Sequence, residues 1–521
     1  MRPVEKLLED LSRAGITLEA EGGSLRVRGP AGTISMALRE ELAARKPDLL
    51  AALGSGAAGT RCPVLGRRAD SEAPAPLTHN QRRLWFLDKL GETGSSFTLT
   101  AAWALRGVFD RAAFIRAVGT LTRRHAILRA AISEAEEAEP RLTIAPWSPP
   151  MIAIEVAAAE AADQLVAEAA AEPFDMKDGP LFRVRLIEFS DRHHLLIVGL
   201  HHVIADHWSM GILIRDLAAL MTAEITGADA SLPPLPIQFS DFAAWQRAAL
   251  DEQAVTSRVA YWREKLAGAP SDLTLPTDRP RPAVRGTRGA AVRFPLPADT
   301  NLSRFATDHG ATAFMAFLAV YAVLLARWSG QQEVVVGCPL GSREHPETYD
   351  LVGFFVNTVA LRLDLSDDPD FVTLLKRART TSLDALTHQD VPFERVVDAL
   401  HPDRHLNRNP LFQAMFVVQN AAMTELAWPG ADIEPLAVPA MPPEVDLNLS
   451  LESAANPNAP FTGYLEFDPD LFDKETAEQF GRQFAALCRA VLANPKIPVW
   501  RLPIEDGEPA VWQGPRITRP E

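Results

Sequence analysis

The apolar pattern changes character along the chain, and each change marks a predicted unit. Leu7, Leu8 and Leu11 recur at helical spacing until Gly15 stops them. Residues 16–20 and 25–28 then read as extended segments joined by Glu21-Gly22-Gly23-Ser24, a hairpin signal. Helical spacing returns over 36–45, breaks at Pro47, and closes with a short turn over 48–53. The predicted first unit is α-β-β-α-α over residues 1–53.

Residues 54–73, rich in Gly, Ala, Pro, Ser and Arg, sustain no apolar period and read as a linker. Beyond them, strand-like runs at 291–294, 333–337 and 414–418 alternate with amphipathic helical stretches such as 112–125 and 371–385, a mixed α/β body. Proline-rich tracts at 232–236 and 276–282 place a lobe boundary between residues 250 and 285. The expected division is one lobe over 74–260, a second over 261–510, and a tail over 511–521. The longest strongly apolar stretch, 313–326, is shorter than the roughly 20 residues a membrane span needs, so it predicts a buried helix.

Charge and cysteine usage narrow the function classes. The 521 residues carry 52 Lys+Arg against 67 Asp+Glu, a formal charge of −15, which disfavours binding to nucleic acid or to an anionic membrane. Glu5, Glu9 and Asp10 interrupt the N-terminal apolar pattern, unlike the core of an export signal. Cys62, Cys338 and Cys488 are far apart and lack the spacing of a zinc site or disulfide framework, which fits a reducing cytoplasm.

Five of the twelve histidines, His193, His194, His201, His202 and His207, fall within fifteen residues. The run 195–200 predicts a buried strand, and its period of two puts His202 on the face of Leu196, Val198 and Leu200. His201 then faces the other way and reads as structural. Asp206 is placed to cap a helix whose Met210, Leu213, Ile214, Leu217 and Leu220 form one stripe. A metal site is disfavoured, because adjacent strand histidines point to opposite faces.

His201-His-x-x-x-Asp206 followed by Trp208-Ser209 resembles the motif of nonribosomal peptide synthetase condensation domains. Six more stretches agree in order and spacing. They begin with Leu77-Thr-His-Asn-Gln-Arg-Arg-Leu-Trp-Phe-Leu-Asp88, Arg124-His-Ala-Ile-Leu-Arg129 and Ile237-Gln-Phe-Ser-Asp-Phe-Ala-Ala-Trp-Gln246. Val352-Gly-Phe-Phe-Val-Asn-Thr-Val-Ala-Leu-Arg362, His388-Gln-Asp-Val-Pro-Phe-Glu394 and Arg408-Asn-Pro-Leu-Phe-Gln413 follow. The resemblance runs from about residue 74 to 510.

It implies two chloramphenicol-acetyltransferase-like lobes arranged in a V, with His202 in a tunnel where an amine meets a thioester. Both substrates would be carried on the phosphopantetheine of donor and acceptor carrier domains, with no intrinsic cofactor. His202 would be the catalytic group. His201 and Asp206 would shape the motif, and Arg124 would be the buried ion-pair partner of Asp206. His207 and Ser209 are expected to line the tunnel. His207 also stands where the family has glycine, so its side chain would narrow the passage or shift the Asp206 turn.

The first unit resembles the TubC-type N-terminal docking domain, which receives the C-terminal tail of an upstream synthetase subunit by strand addition. Arg26 and Arg28, two apart on one strand face, would suit an acidic tail. Three other readings stay open. One is a catalytically silent recruitment platform of the same fold. Another is an acyltransferase using a soluble amine or alcohol, and the third is an epimerising relative.

Overall fold

In the computed structural model the chain divides into two compact units, Met1–Pro63 and Val64–Glu521. The structure describes residues 17–21, 24–28 and 65–504, apart from 72, 90–96, 135–138, 251, 287, 298–300, 402–406, 420–425, 441–443 and 453–459. The helices expected over 1–15 and 36–53, the cysteine at 62 and the tail 511–521 lie outside the described residues.

The hairpin of the first unit consists of β1 (Thr17–Glu21) and β2 (Ser24–Arg28), paired antiparallel. Its register sets Arg28 opposite Thr17 and Arg26 opposite Glu19, so an acidic residue stands across from one of the two arginines.

The second unit begins with a two-residue strand, β3 (Ala75–Pro76), and then β4 (Thr98–Gly107). Next come β5 (Ala130–Ser133), β6 (Arg141–Ile144), β7 (Ala153–Val156), β8 (Phe182–Ser190) and β9 (His193–His201). The second half supplies β10 (Ala290–Pro295), β11 (Glu333–Gly341), β12 (Val356–Asp364) and β13 (Ala414–Gln419). It ends with β14 (Ala431–Leu436), β15 (Leu447–Glu452) and β16 (Thr462–Phe467). A small sheet has the order β3-β6-β5.

Two larger sheets organise the lobes, in the orders β14-β4-β9-β8-β7 and β10-β16-β15-β13-β11-β12. In the first, alternate residues of β9 serve two cores. Leu196, Val198 and Leu200 pack under the His207–Thr226 helix, while Leu195 and Ile197 pack with Val166 and Ala169 of the Ala162–Ala171 helix. In the second sheet, Leu447, Leu449, Leu451, Leu465, Ala414 and Phe416 join the core around the Ala313–Ser329 helix. That helix is buried on every side from Met315 to Trp328, as its unbroken apolar run requires. Among the described residues no single helix is long and apolar enough to cross a membrane.

The expected lobe 261–510 does not stay to itself. Its strand β14 pairs with β4 at the edge of the first sheet, and Leu351, Val352, Phe355, Leu426 and Trp428 enter the first lobe's core. Proline punctuation marked a pause in the chain, but it carries no information about where a later segment returns.

Candidate active site at the junction of the lobes

β9 ends at His201, one residue before simple alternation would have it, and residues 202–204 turn as a single 3-10 helix. His202 therefore leaves the strand face. The backbone groups of His202 and Val203 find partners. The His202 amide donates to the Phe97 carbonyl at 2.7 Å, and the Val203 amide donates to Nδ1 of His201 at 3.0 Å. The Val203 carbonyl accepts from the side-chain amide of Gln81 at 2.7 Å. Gln81 is wholly buried, and its Oε1 accepts from the Thr78 amide at 3.1 Å, so it ties the start of the His79–Lys89 helix to the turn.

The His202 ring is partly exposed, and its Nδ1 lies 2.9 Å from the Ala205 carbonyl. A carbonyl only accepts, so Nδ1 carries the proton, and Nε2 of the neutral ring holds the free lone pair. Burial lowers the pKa of His202 from its ordinary 6.5, against opposing fields from Glu444 and Asp206. The ring is therefore neutral at pH 7, and the edge of Phe354 flanks it at 5.4 Å between centroids.

His201 is enclosed by Phe97 and Phe174, and desolvation followed by the neighbouring His202 pushes its pKa down to about 3. It is a neutral hydrogen-bond acceptor for the turn.

Asp206 is fully buried and caps the His207–Thr226 helix. Its Oδ1 accepts from the amide and hydroxyl of Ser209, both at 2.7 Å, and its Oδ2 accepts from the Phe355 amide at 3.2 Å. The cation beside it is Arg343, whose Nη2 sits 3.2 and 3.4 Å from the two carboxylate oxygens.

The expectation for Arg124 is corrected. Arg124 donates through Nε at 2.9 Å to Asp216, a different buried aspartate further along the same helix. Asp216 also meets His125 at 2.9 Å and Arg215 at 2.8 Å. Against desolvation that would raise it, the hydrogen bonds from His125 and Arg215 hold the Asp216 carboxyl below its ordinary range. Arg124 does not reach Asp206 because the Arg111–Arg124 helix brings its end to the middle of the His207–Thr226 helix, not to its N-terminus.

Ser209 is corrected as well. It lines no passage: its hydroxyl is buried against Asp206, accepts from the Gly353 amide at 3.0 Å and receives Arg343 at 3.0 Å.

Arg343 went unrecognised in the sequence, and Gly353 stood out only as part of the Val352–Arg362 stretch. Arg343 follows a strand with nothing local to mark it, yet it also donates to the Thr348 and Leu351 carbonyls, at 2.5 and 2.7 Å, and folds residues 343–355 over the helix start. A Cβ at Gly353 would stand 1.9 Å from the Phe239 ring, which is why glycine occupies that crossing.

His207 is exposed, yet surrounding protein lowers its pKa, opposed by Asp206, by Glu452 of β15 and by a hydrogen bond with Gln419 of β13. His207 is thus open to water yet influenced by groups of both lobes, Asp206 on one side and Gln419 and Glu452 on the other. Trp208 extends outward, with its Nε1 donating to the Tyr349 carbonyl at 3.2 Å. Among the described residues no group of three or more His, Cys, Asp or Glu is arranged to hold a metal ion. A separate surface cavity of about 580 Å³, lined by Arg279, Arg288, Asp470 and Asp473, does not include the histidines.

Two α/β lobes that share a strand, with a neutral histidine at their junction and a buried Asp–Arg pair behind it, define a chloramphenicol-acetyltransferase-like architecture. Residues 71–506 match the family model described as Condensation domain, and residues 4–54 match that of the TubC N-terminal docking domain. The chain belongs to the condensation-domain family of nonribosomal peptide synthetases, whose members are amide-bond-forming acyltransferases.

Phosphinothricin tripeptide synthetase PhsC of Streptomyces viridochromogenes is 41% identical over 454 residues, covering 85% of this chain and 41% of that protein. Malpibaldin synthetase of Mortierella alpina is 37% identical over 446 residues, 84% of this chain and 8% of that protein. The chain thus spans less than half the length of either relative. Among solved structures, the X-domain from teicoplanin biosynthesis superposes with a TM-score of 0.77 at 29% identity, covering 85% of this chain and all of that one.

Proposed function

We propose that the second unit joins a carrier-bound acyl or peptidyl thioester to the amine of a carrier-bound aminoacyl group, with His202 as the group that handles the proton. The observation that carries this is the 2.9 Å contact between Nδ1 of the partly exposed His202 and the Ala205 carbonyl, which assigns the proton to Nδ1 and leaves Nε2 without a hydrogen-bond partner among the described residues. The amine nitrogen attacks the thioester carbonyl, the C–N bond forms and the C–S bond breaks. Nε2 accepts or steers the amine proton, which leaves with the departing thiolate as thiol. Holding the two carriers' arms in attack geometry supplies the rest of the acceleration.

The phosphopantetheine arms belong to partner carrier domains, and the reaction needs no cofactor of the chain's own. The first unit would receive the C-terminal tail of an upstream subunit by strand addition to its hairpin, with Arg26 and Arg28 on the receiving face. A cytoplasmic setting fits carrier-bound chemistry.

Two observations favour a second reading, a silent platform of the same fold. His207 fills a position where the family has glycine, and an X-domain is among the similar structures, one of them solved as a complex of the X-domain and OxyB. Carrier domains loaded with defined thioesters, followed by intact-protein mass spectrometry, separate the two. Transfer that disappears in His202→Ala supports the enzyme. Retained carrier binding with no transfer in the wild-type chain supports the platform.

A further inference from the structure

The second sheet has two unlike faces. Its core face is Ala414, Phe416, Leu447, Leu449, Leu451, Leu465 and Phe467. The alternate residues form rows set by the register. Met415, Asn448 and Glu466 make one row, Val417, Ser450 and Tyr464 the next, and Gln419, Glu452 and Thr462 the third. The Ala313–Ser329 and Lys474–Ala493 helices pack on the core side, so this polar face looks away from them.

Two landmarks say what it looks toward. Just before β15, Glu444 lies 3.6 Å from Arg83 of the first lobe and acts on His202. At the other end of the strands, Gln419 and Glu452 face His207. Along the strand Asn448 lies between those ends, on the wall that this polar face forms.

Within that wall one pair is incomplete. Asn448 donates through Nδ2 to Oε2 of Glu466 at 2.7 Å, which points its own Oδ1 the other way. That Oδ1 is buried and has no hydrogen-bond partner among the described residues. Glu466, partly buried, has no cation within ion-pair distance among the described residues, whereas nearby Glu452 has Arg293 at 3.7 Å. A desolvated carboxylate and an orphaned carbonyl oxygen side by side present acceptors only, and such groups are normally satisfied. What completes them is a group with several N–H donors and a positive charge.

We infer that Asn448 and Glu466 form a substrate subsite that takes an ammonium group of the bound aminoacyl or peptidyl substrate. The inference rests on the proposed reaction, and it names a chemistry with two sources on such a substrate, the α-ammonium and a basic side chain. Flanking Tyr464 and Met415 would pack against the attached aliphatic chain.

The test uses the full chain and non-reacting amide analogues of aminoacyl-pantetheine. Three probes are titrated calorimetrically: lysyl, with two ammonium groups; norleucyl, with the α-ammonium only; and N-acetyl-norleucyl, with none. Glu466→Gln should weaken lysyl binding about tenfold or more, the loss of one charged hydrogen bond, and leave the acetylated probe unchanged. Asn448→Leu should act in the same direction.

If norleucyl weakens as much as lysyl, the α-ammonium is the ligand; if lysyl alone weakens, the side chain is. The subsite is overturned if Glu466→Gln changes no probe by more than about twofold, or weakens the acetylated probe equally. Since binding is read without turnover, a chain that discriminates these probes yet transfers nothing would sink the proposed reaction and leave the subsite standing.

Discussion

Removing the guanidinium of Arg343 is the sharpest test of how the turn after His202 is held. In Arg343→Met, Asp206 loses the cation beside it, at 3.2 and 3.4 Å, while both groups are nearly inaccessible, 5% and 1% exposed. Stranding a buried charge in this way costs about 3–5 kcal/mol. Asp206 keeps three donors, the Ser209 amide, the Ser209 hydroxyl and the Phe355 amide, which argues for the lower part of that range. The Thr348 and Leu351 carbonyls also lose their donor, which argues for the upper part.

Arg124→Met is the control, because Asp216 retains His125 and Arg215, and its loss should be about 1 kcal/mol. Urea unfolding followed by tryptophan fluorescence reads both. In Arg343→Met/Asp206→Asn the stranded charge is gone, so the double variant should be more stable than Arg343→Met, with a coupling of at least about 1.5 kcal/mol. An Arg343→Met loss below about 1 kcal/mol, or an Arg124→Met loss as large as that of Arg343→Met, would refute the assignment of the pair.

Gly353→Ala forces a methyl to within 1.9 Å of the buried Phe239 ring and should destabilise by about 1–3 kcal/mol, checked by thermal unfolding. His201 is held neutral with a pKa of about 3, below its unfolded value near 6.5. Its folded-state pKa is the lower one, so stability is present above the unfolded pKa and is lost as pH falls below it. The loss is about 2 kcal/mol at pH 5 from this residue. In His201→Asn, which keeps an acceptor for the Val203 amide, the acid loss measured by urea unfolding should shrink by that amount. If His202 acts as a neutral base, kcat/KM falls on the acid side with an apparent pKa below 6.5. Glu444→Gln should move that limb lower still, since Glu444 raises the pKa of His202. A pH profile with its acid limb at or above 6.5 would contradict the burial of that ring.

Much of this was legible in the chain of residues. Alternation along 195–200 gave β9 and its two faces, the turn glycines gave the β1–β2 hairpin, and Asp206 before an apolar stripe gave a capped helix. The run at 313–326 was recognisable as a core helix because only a helix buried on all sides has no polar stripe. These are local facts: period, turn chemistry and capping act over a few residues, so they survive in one dimension. The ordered motifs likewise pointed to the condensation family and to His202.

Tertiary structure alone decided the rest. An ion pair between residues 206 and 343 joins positions 137 apart, and nothing in a charge pattern tells which of many arginines closes on a given aspartate. The same holds for Arg124 turning to Asp216, for Ser209 closing inward, and for β14 crossing to the first sheet. Ending β9 at His201 depended on the Phe97 carbonyl and the Gln81 amide, both brought in from elsewhere in the chain. Burial decides these pairings, because a charge or backbone group cut off from water takes the partner that the packed fold brings within reach.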